Sequence, residues 1–152
     1  MDPKIEALVT RMENARIRLN NAIDKITAET EVYPTWQLKQ LLDHITGWDE
    51  LVSTTLKQFV RGETPALSVK SIDRFNAGSV TDRQALSLEQ SRKAYDAARL
   101  EVLELLRSLP QEVTSREYAA PWGGTATVAE MIKIFVVHER EHAGQIEKIL
   151  AG

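Results

Sequence analysis

Thr127 to Ile149 reads TVAEMIKIFVVHEREHAGQIEKI. Within it Val128, Met131, Phe135, His138, His142, Gln145 and Ile149 recur at steps of three and four, the spacing that lines one face of an α-helix. Thr127 with Glu130 matches a capping box, in which two side chains satisfy two N–H groups left open by the first turn. Two histidines therefore sit one turn apart on an otherwise apolar stripe, so both are expected to face the core.

Three further segments carry the same rhythm. The first runs Ile5, Leu8, Met12, Ala15, Leu19, Ala22, Ile26, and the second Leu38, Leu41, Ile45, Trp48, Val52, Thr55, Phe59. The third runs Leu88, Ser91, Tyr95, Ala98, Val102, Leu105, Leu109. Asp2-Pro3 and Ser87 with Gln90 mark two starts, while Gly62 and Pro110 mark two stops. No stretch alternates with period two for long enough to demand a strand. Four stripes of this kind close around a common core, so the chain is expected to be an all-α four-helix bundle forming one domain over residues 1–152.

The connections differ in length. Residues 28–34 form a short link, which predicts that the first two long helices are antiparallel neighbours. Residues 62–86 are long enough to cross back along the bundle, and Ser68 to Asn76 is expected to add a short helix within them. The third connection, 110–126, contains the turn-rich Pro121-Trp122-Gly123-Gly124.

Composition narrows the function. Across 152 residues, 43% are hydrophobic and 27% charged, as in ordinary globular domains. The 19 Lys and Arg against 22 Asp and Glu leave a formal charge of -3, which argues against a nucleic-acid or anionic-membrane partner. There is no cysteine, so the protein supplies no disulfide, thiolate metal ligand or thiol nucleophile. Neither a signal-peptide pattern nor an apolar run of membrane-spanning length is present, and the chain is expected in the cytoplasm.

Chemistry concentrates in the three histidines, His44, His138 and His142. His44 lies beside the second stripe, between Leu41 and Trp48, so packing of the second helix on the fourth would bring three imidazoles together. Three imidazoles suit zinc, nickel, iron or copper and leave coordination positions open. Each histidine could instead be buried and satisfied by a carbonyl or carboxylate, but three such rings in one apolar seam favour the metal. His138-Glu139-Arg140-Glu141-His142 also fits the H-E-x-x-H protease pattern. That reading is rejected: Gly144 and Lys148 break its longer form, and Glu139 points about 100° away from His138.

Trp36-Gln37-Leu38-Lys39-Gln40-Leu41-Leu42-Asp43-His44-Ile45-Thr46-Gly47-Trp48 and His138-Glu139-Arg140-Glu141-His142-Ala143-Gly144-Gln145-Ile146 together resemble the two signatures of the DinB-like, or YfiT-like, superfamily of four-helix bundles. The resemblance spans nearly the whole chain. It implies an up-down-down-up bundle and a divalent metal, usually zinc or nickel, held by His44, His138 and His142. It further implies that homodimers are common and that some relatives use low-molecular-weight thiols for transfer or isomerisation, while others hydrolyse.

The expected function is thus a metal-dependent enzyme acting on a small electrophilic molecule, with the metal activating water or an external low-molecular-weight thiol as cosubstrate. Glu141 is the candidate general base, and Trp48, Tyr95, Trp122 and Phe135 are candidates to line a substrate pocket, although for the three on stripes core packing is the stronger reading and Trp122 could instead anchor its loop. The alternative from another class is a non-catalytic stress-response protein that sequesters a small molecule, with metal absent or structural.

Overall fold

Asp2 begins the first helix. Its carboxylate accepts from the Lys4 N–H at 2.8 Å, Pro3 takes the first helical position, and α1 runs Pro3–Ile23 in the computed structural model. Residues 2–63, 71–120 and 123–152 are described. The remaining helices are α2 (Leu38–Val60), α3 (Ile72–Thr81), α4 (Leu88–Ser108), α5 (Gln111–Thr114) and α6 (Val128–Ala151). A two-residue antiparallel ladder, β1 (Tyr118–Ala119) with β2 (Thr125–Ala126), precedes α6.

The starts of α4 and α6 carry the expected capping boxes. Ser87 Oγ accepts from Gln90 N–H at 3.1 Å while Gln90 Oε1 accepts from Ser87 N–H at 2.8 Å. Thr127 and Glu130 repeat the exchange. Gly62 follows α2 with φ +72°, a conformation that favours glycine at a helix end. The first helix stops three residues short of Ile26, because Asp24 already closes it with N–H bonds to Asn20 and Ala22 carbonyls. The short extra helix is described over Ile72–Thr81, where the Ser71 hydroxyl accepts from the Arg74 N–H at 3.2 Å; the expected portion before residue 71 lies outside the described residues.

Four long helices form the bundle. Ile5 near the start of α1 shares an apolar cluster with Phe59 near the end of α2, Leu106 near the end of α4 and Ile132 near the start of α6. Leu19, Leu41, Tyr95 and Ile146 meet in a second cluster at the opposite end. Those partnerships give the up-down-down-up order, with α1 parallel to α6 and α2 parallel to α4. Burying a residue such as Leu41 or Ile146, at most 1% exposed, stabilises the fold by about 1.5–3 kcal/mol.

Neighbour relations differ from expectation. The main helix-on-helix contacts are α1 on α6 and α2 on α4, with α1 meeting α4 more lightly. The first two long helices are antiparallel but do not pack closely on each other. The crossover explains this: α2 spans about 34 Å at 1.5 Å per residue, and returning along it lets α4 lie parallel to α2 as its neighbour. Within the crossover α3 sits tightly on α2, since a Cβ at Gly47 would stand 2.2 Å from Ser79 Oγ.

The buried face of α6 is also rotated from the expected stripe. Its buried residues are Val128, Met131, Ile132, Val136, Glu139, His142, Ala143 and Ile146, whereas Gln145 and Ile149 are exposed. A strict alternation of three and four has a period of 3.5 residues and drifts against the helix's 3.6, and the buried side carries Glu139, paired with Arg16 and Arg99. No helix among the described residues is long and apolar enough to cross a membrane.

Candidate metal centre

His44 enters from α2, and His138 and His142 from successive turns of α6. His138 Nε2 lies 3.5 Å from His44 Nε2 and 2.9 Å from His142 Nε2. With metal–nitrogen bonds of 2.0–2.1 Å, two ligands of a tetrahedral ion stand about 3.4 Å apart; the observed spacings bracket that edge. One donor atom from each ring lies within 4.8 Å of the others. The donor set therefore fits a divalent ion of borderline softness.

The three rings are not equivalent. His44 and His142 are buried, while the His138 side chain is 47% exposed, so His138 does not face the core as its place on the stripe predicted. Burial, then repulsion from His138, pushes His44 down to about 4, against an opposing contact from Asn76. Burial and then its two histidine neighbours push His142 down to about 3, and burial lowers His138 against the pull of Glu141 and Glu139. All three are thus neutral near pH 7, the form in which imidazole binds a metal.

Residues outside the expected set complete the site. The Tyr33 hydroxyl is 2.6 Å from His142 Nδ1. When that oxygen accepts the Nδ1 proton, the lone pair of His142 is left on Nε2, facing the other rings. Burial, then Glu141, raises Tyr33 to about 12, so it remains a phenol. The Trp36 ring centre lies 5.1 Å from that of His44, and the Trp36 backbone N–H donates to the Tyr33 carbonyl across a tight turn. Thr35 in that turn has φ +70°, a strained value for a β-branched residue. Two aromatics flanking Pro34 in a short link, just ahead of the His44 helix, were the sequence signal for this wall.

The candidate substrate residues separate. Trp48 and Phe135 border a hollow beside His138. Tyr95 does not line it: the side chain is fully buried, its hydroxyl bonds Asn20 Oδ1 at 2.8 Å, and the Arg16 guanidinium lies 3.9 Å above its ring. Trp122 lies outside the described residues. Glu141 is on the open side of the cluster, with Oε2 3.9 Å from His138 Nδ1 and a side chain 63% exposed. The mouth it borders encloses about 360 Å³ and includes Tyr33, Trp36, His44, Asn76 and His142.

Next to the histidines lies a closed group of charges. Arg16 donates to Glu139 at 2.8 Å and to Asp49 at 3.1 Å. Arg99 donates to the same two carboxylates at 2.9–3.2 Å. All four residues are buried, and each comes from a different long helix. Burial alone would raise Glu139, but Arg99 and Arg16 outweigh it and hold the carboxyl below its ordinary range. Glu139 is thus turned from the histidines and used up in ion pairs. Each of the four follows a stripe position by one residue (Ala15, Trp48, Ala98 and His138), but so do the exposed Glu6, Glu13 and Glu89, so that spacing does not single out the group in the sequence.

Comparison with known proteins follows the same lines. Residues 12–146 match the family model of the DinB superfamily. No curated protein matches the chain. Among solved structures, the mycothiol-dependent maleylpyruvate isomerase superposes with a TM-score of 0.80 at 14% identity, covering 93% of this chain and 60% of that one. YfiT from Bacillus subtilis, described as a probable metal-dependent hydrolase with an unusual four-helix bundle topology, gives 0.74 at 16% identity, covering 97% and 86%. At these identities the likeness establishes a common fold, and the chain spans about three fifths of the isomerase's length.

Proposed function

The chain belongs to the DinB superfamily, and from that premise we propose that it is a metal-dependent enzyme acting on a small electrophilic molecule. One observation carries the reading: three neutral imidazoles converge through Nε2 at the wall of an open hollow. A divalent ion, zinc or nickel, held by His44, His138 and His142 would supply a Lewis acid that lowers the pKa of a water or thiol presented in the mouth.

The chain's own residues divide the remaining work. Buried His44, backed by Trp36, and His142, tied to Tyr33, are the rigid arms of the site. His138 is the exposed arm. Glu141, on the solvent side of His138, accepts the proton given up by the nucleophile. Because the chain has no cysteine, any sulfur nucleophile arrives with a cosubstrate, which fits use of a low-molecular-weight thiol.

Elemental mass spectrometry of untagged protein, compared with a His138→Ala, His142→Ala double variant, tests the reading. Near-stoichiometric metal in the parent and none in a still-helical variant is the expected result. Absence of metal from the parent, even after incubation with zinc or nickel, would sink it and favour a binding protein that works without metal.

A further inference from the structure

Several hollows border His138, among them an open one edged by Glu130, Lys133 and Glu141 that also reaches Ile134, and two of them differ sharply in their walls. The mouth already described has polar walls. The second, about 310 Å³, is bounded by Trp48, Ile72, Asn76, Ile134, Phe135 and His138, and only Asn76 and His138 border both. No carboxylate, ammonium or guanidinium borders the second hollow among the described residues.

Its lining has a consistent chemistry. Trp48 spends its one polar hydrogen on Asn76 Oδ1, at 2.7 Å, and so offers only its carbon surface to the hollow. Phe75 and Phe135 flank the indole, with ring centres 4.4 and 6.1 Å away. Ile72 and Ile134 are 56% and 53% exposed, yet they come from different helices and stand at the same hollow. Large apolar side chains exposed on both sides of an aromatic-walled space mark a ligand site more than a random surface. At about 310 Å³ the hollow has room for a substituted aromatic ring. A charged group placed against Trp48, Ile72, Ile134 and Phe135 would lose hydration without gaining an ionic partner from these walls.

We propose that this slot binds the uncharged, apolar part of the ligand, an aromatic ring or branched hydrocarbon, while the polar reacting end of the same molecule passes His138 into the mouth. The chemistry assigned to the mouth rests on the metal-centre reading; the slot itself rests on its own lining. Asn76 and His138 are the threshold between the two parts, so the ligand class is amphiphilic, with its polar atoms at one end.

Isoleucine-methyl NMR of the metal-free protein tests this with 2-naphthol and 2-naphthoate, which share a ring system and differ in charge. Naphthol is expected to shift the Ile72 and Ile134 methyls saturably while leaving the exposed Ile17 and Ile149 unmoved, and naphthoate to bind at least about tenfold more weakly. Ile134→Glu, at an exposed position that folding tolerates, should weaken naphthol by a similar factor with zinc uptake unchanged. Lack of a saturable shift, equal shifts at Ile17 and Ile149, or equal affinity for naphthoate overturns the slot. Naphthol binding by a protein that takes up no zinc supports the slot and overturns the metal centre. Zinc uptake without naphthol binding does the reverse.

Discussion

The charge quartet and the histidine cluster share two helices, α2 and α6, yet they have opposite characters. Asp49 lies five residues after His44 on α2, and Glu139 directly follows His138 on α6. In the quartet two carboxylates and two guanidiniums cancel in charge, and each acid accepts from both arginines. In the cluster, three neutral rings turn nitrogen toward nitrogen beside a solvent-accessible mouth. A gap of about 20 Å³, room for about one water, borders both groups. Buried polar groups that satisfy one another hold helices in register; polar groups that converge without doing so are available to a ligand.

That contrast can be broken in several ways. The largest effect is expected from Arg99→Met, which leaves Asp49 and Glu139 short of a partner in the core. It should cost about 3–5 kcal/mol in chemical denaturation, since an uncompensated buried charge is worse than no ion pair. A cost below about 1 kcal/mol would mean that the quartet is not the clamp its geometry suggests.

Metal should produce the next largest change, and only at the other cluster. Zinc at roughly 100 times its Kd should stabilise the wild-type fold by about 2.7 kcal/mol, read as a rise in Tm, and should leave the His138→Ala, His142→Ala variant unmoved. If that double variant without metal is destabilised as severely as Arg99→Met, the histidines are structural and the distinction fails.

Tyr33→Phe sharpens the comparison by removing one hydroxyl beside His142. Zinc affinity is expected to fall by about 10–100-fold, the usual effect of losing a ligand's outer hydrogen-bond partner, with helical content unchanged. Titration against a competing chelator measures it. The smallest effect on folding is expected from Glu141→Gln: being exposed, it should alter stability by no more than about 0.5 kcal/mol. Its activity on an electrophilic substrate should nevertheless fall by about 100-fold or more if Glu141 takes the proton. Full activity with normal metal content would remove Glu141 from the mechanism.

Reading the chain revealed some of these features more clearly than others. The helices from Ser87 and Thr127 were evident because a capping box is a contact between residues three apart. The convergence of His44, His138 and His142 could be anticipated from spacing and from the family resemblance. Arg16 and Arg99 could not be recognised as buried from composition or local pattern, since each looks like an ordinary surface charge until its acids are placed beside it. The Arg16–Glu139 contact joins residues 123 apart. Tyr33, Trp36 and Asn76 were missed for a similar reason: a turn and a crossover helix bring them to the histidines, and neither carries a repeating pattern.

By itself the sequence determined four amphipathic helices, their caps and the turn that separates His138 from His142, because all of these depend on hydrogen bonds and side-chain spacing within a few residues. Only the tertiary structure decided that α1 lies along α6 and α2 along α4, that Glu139 goes inward while His138 reaches the mouth, and that Tyr95 packs among charges away from the hollow. Those outcomes depend on desolvation. Whether a charge or an imidazole can be buried is settled by the partners that distant helices supply, and a side chain's local sequence does not contain them.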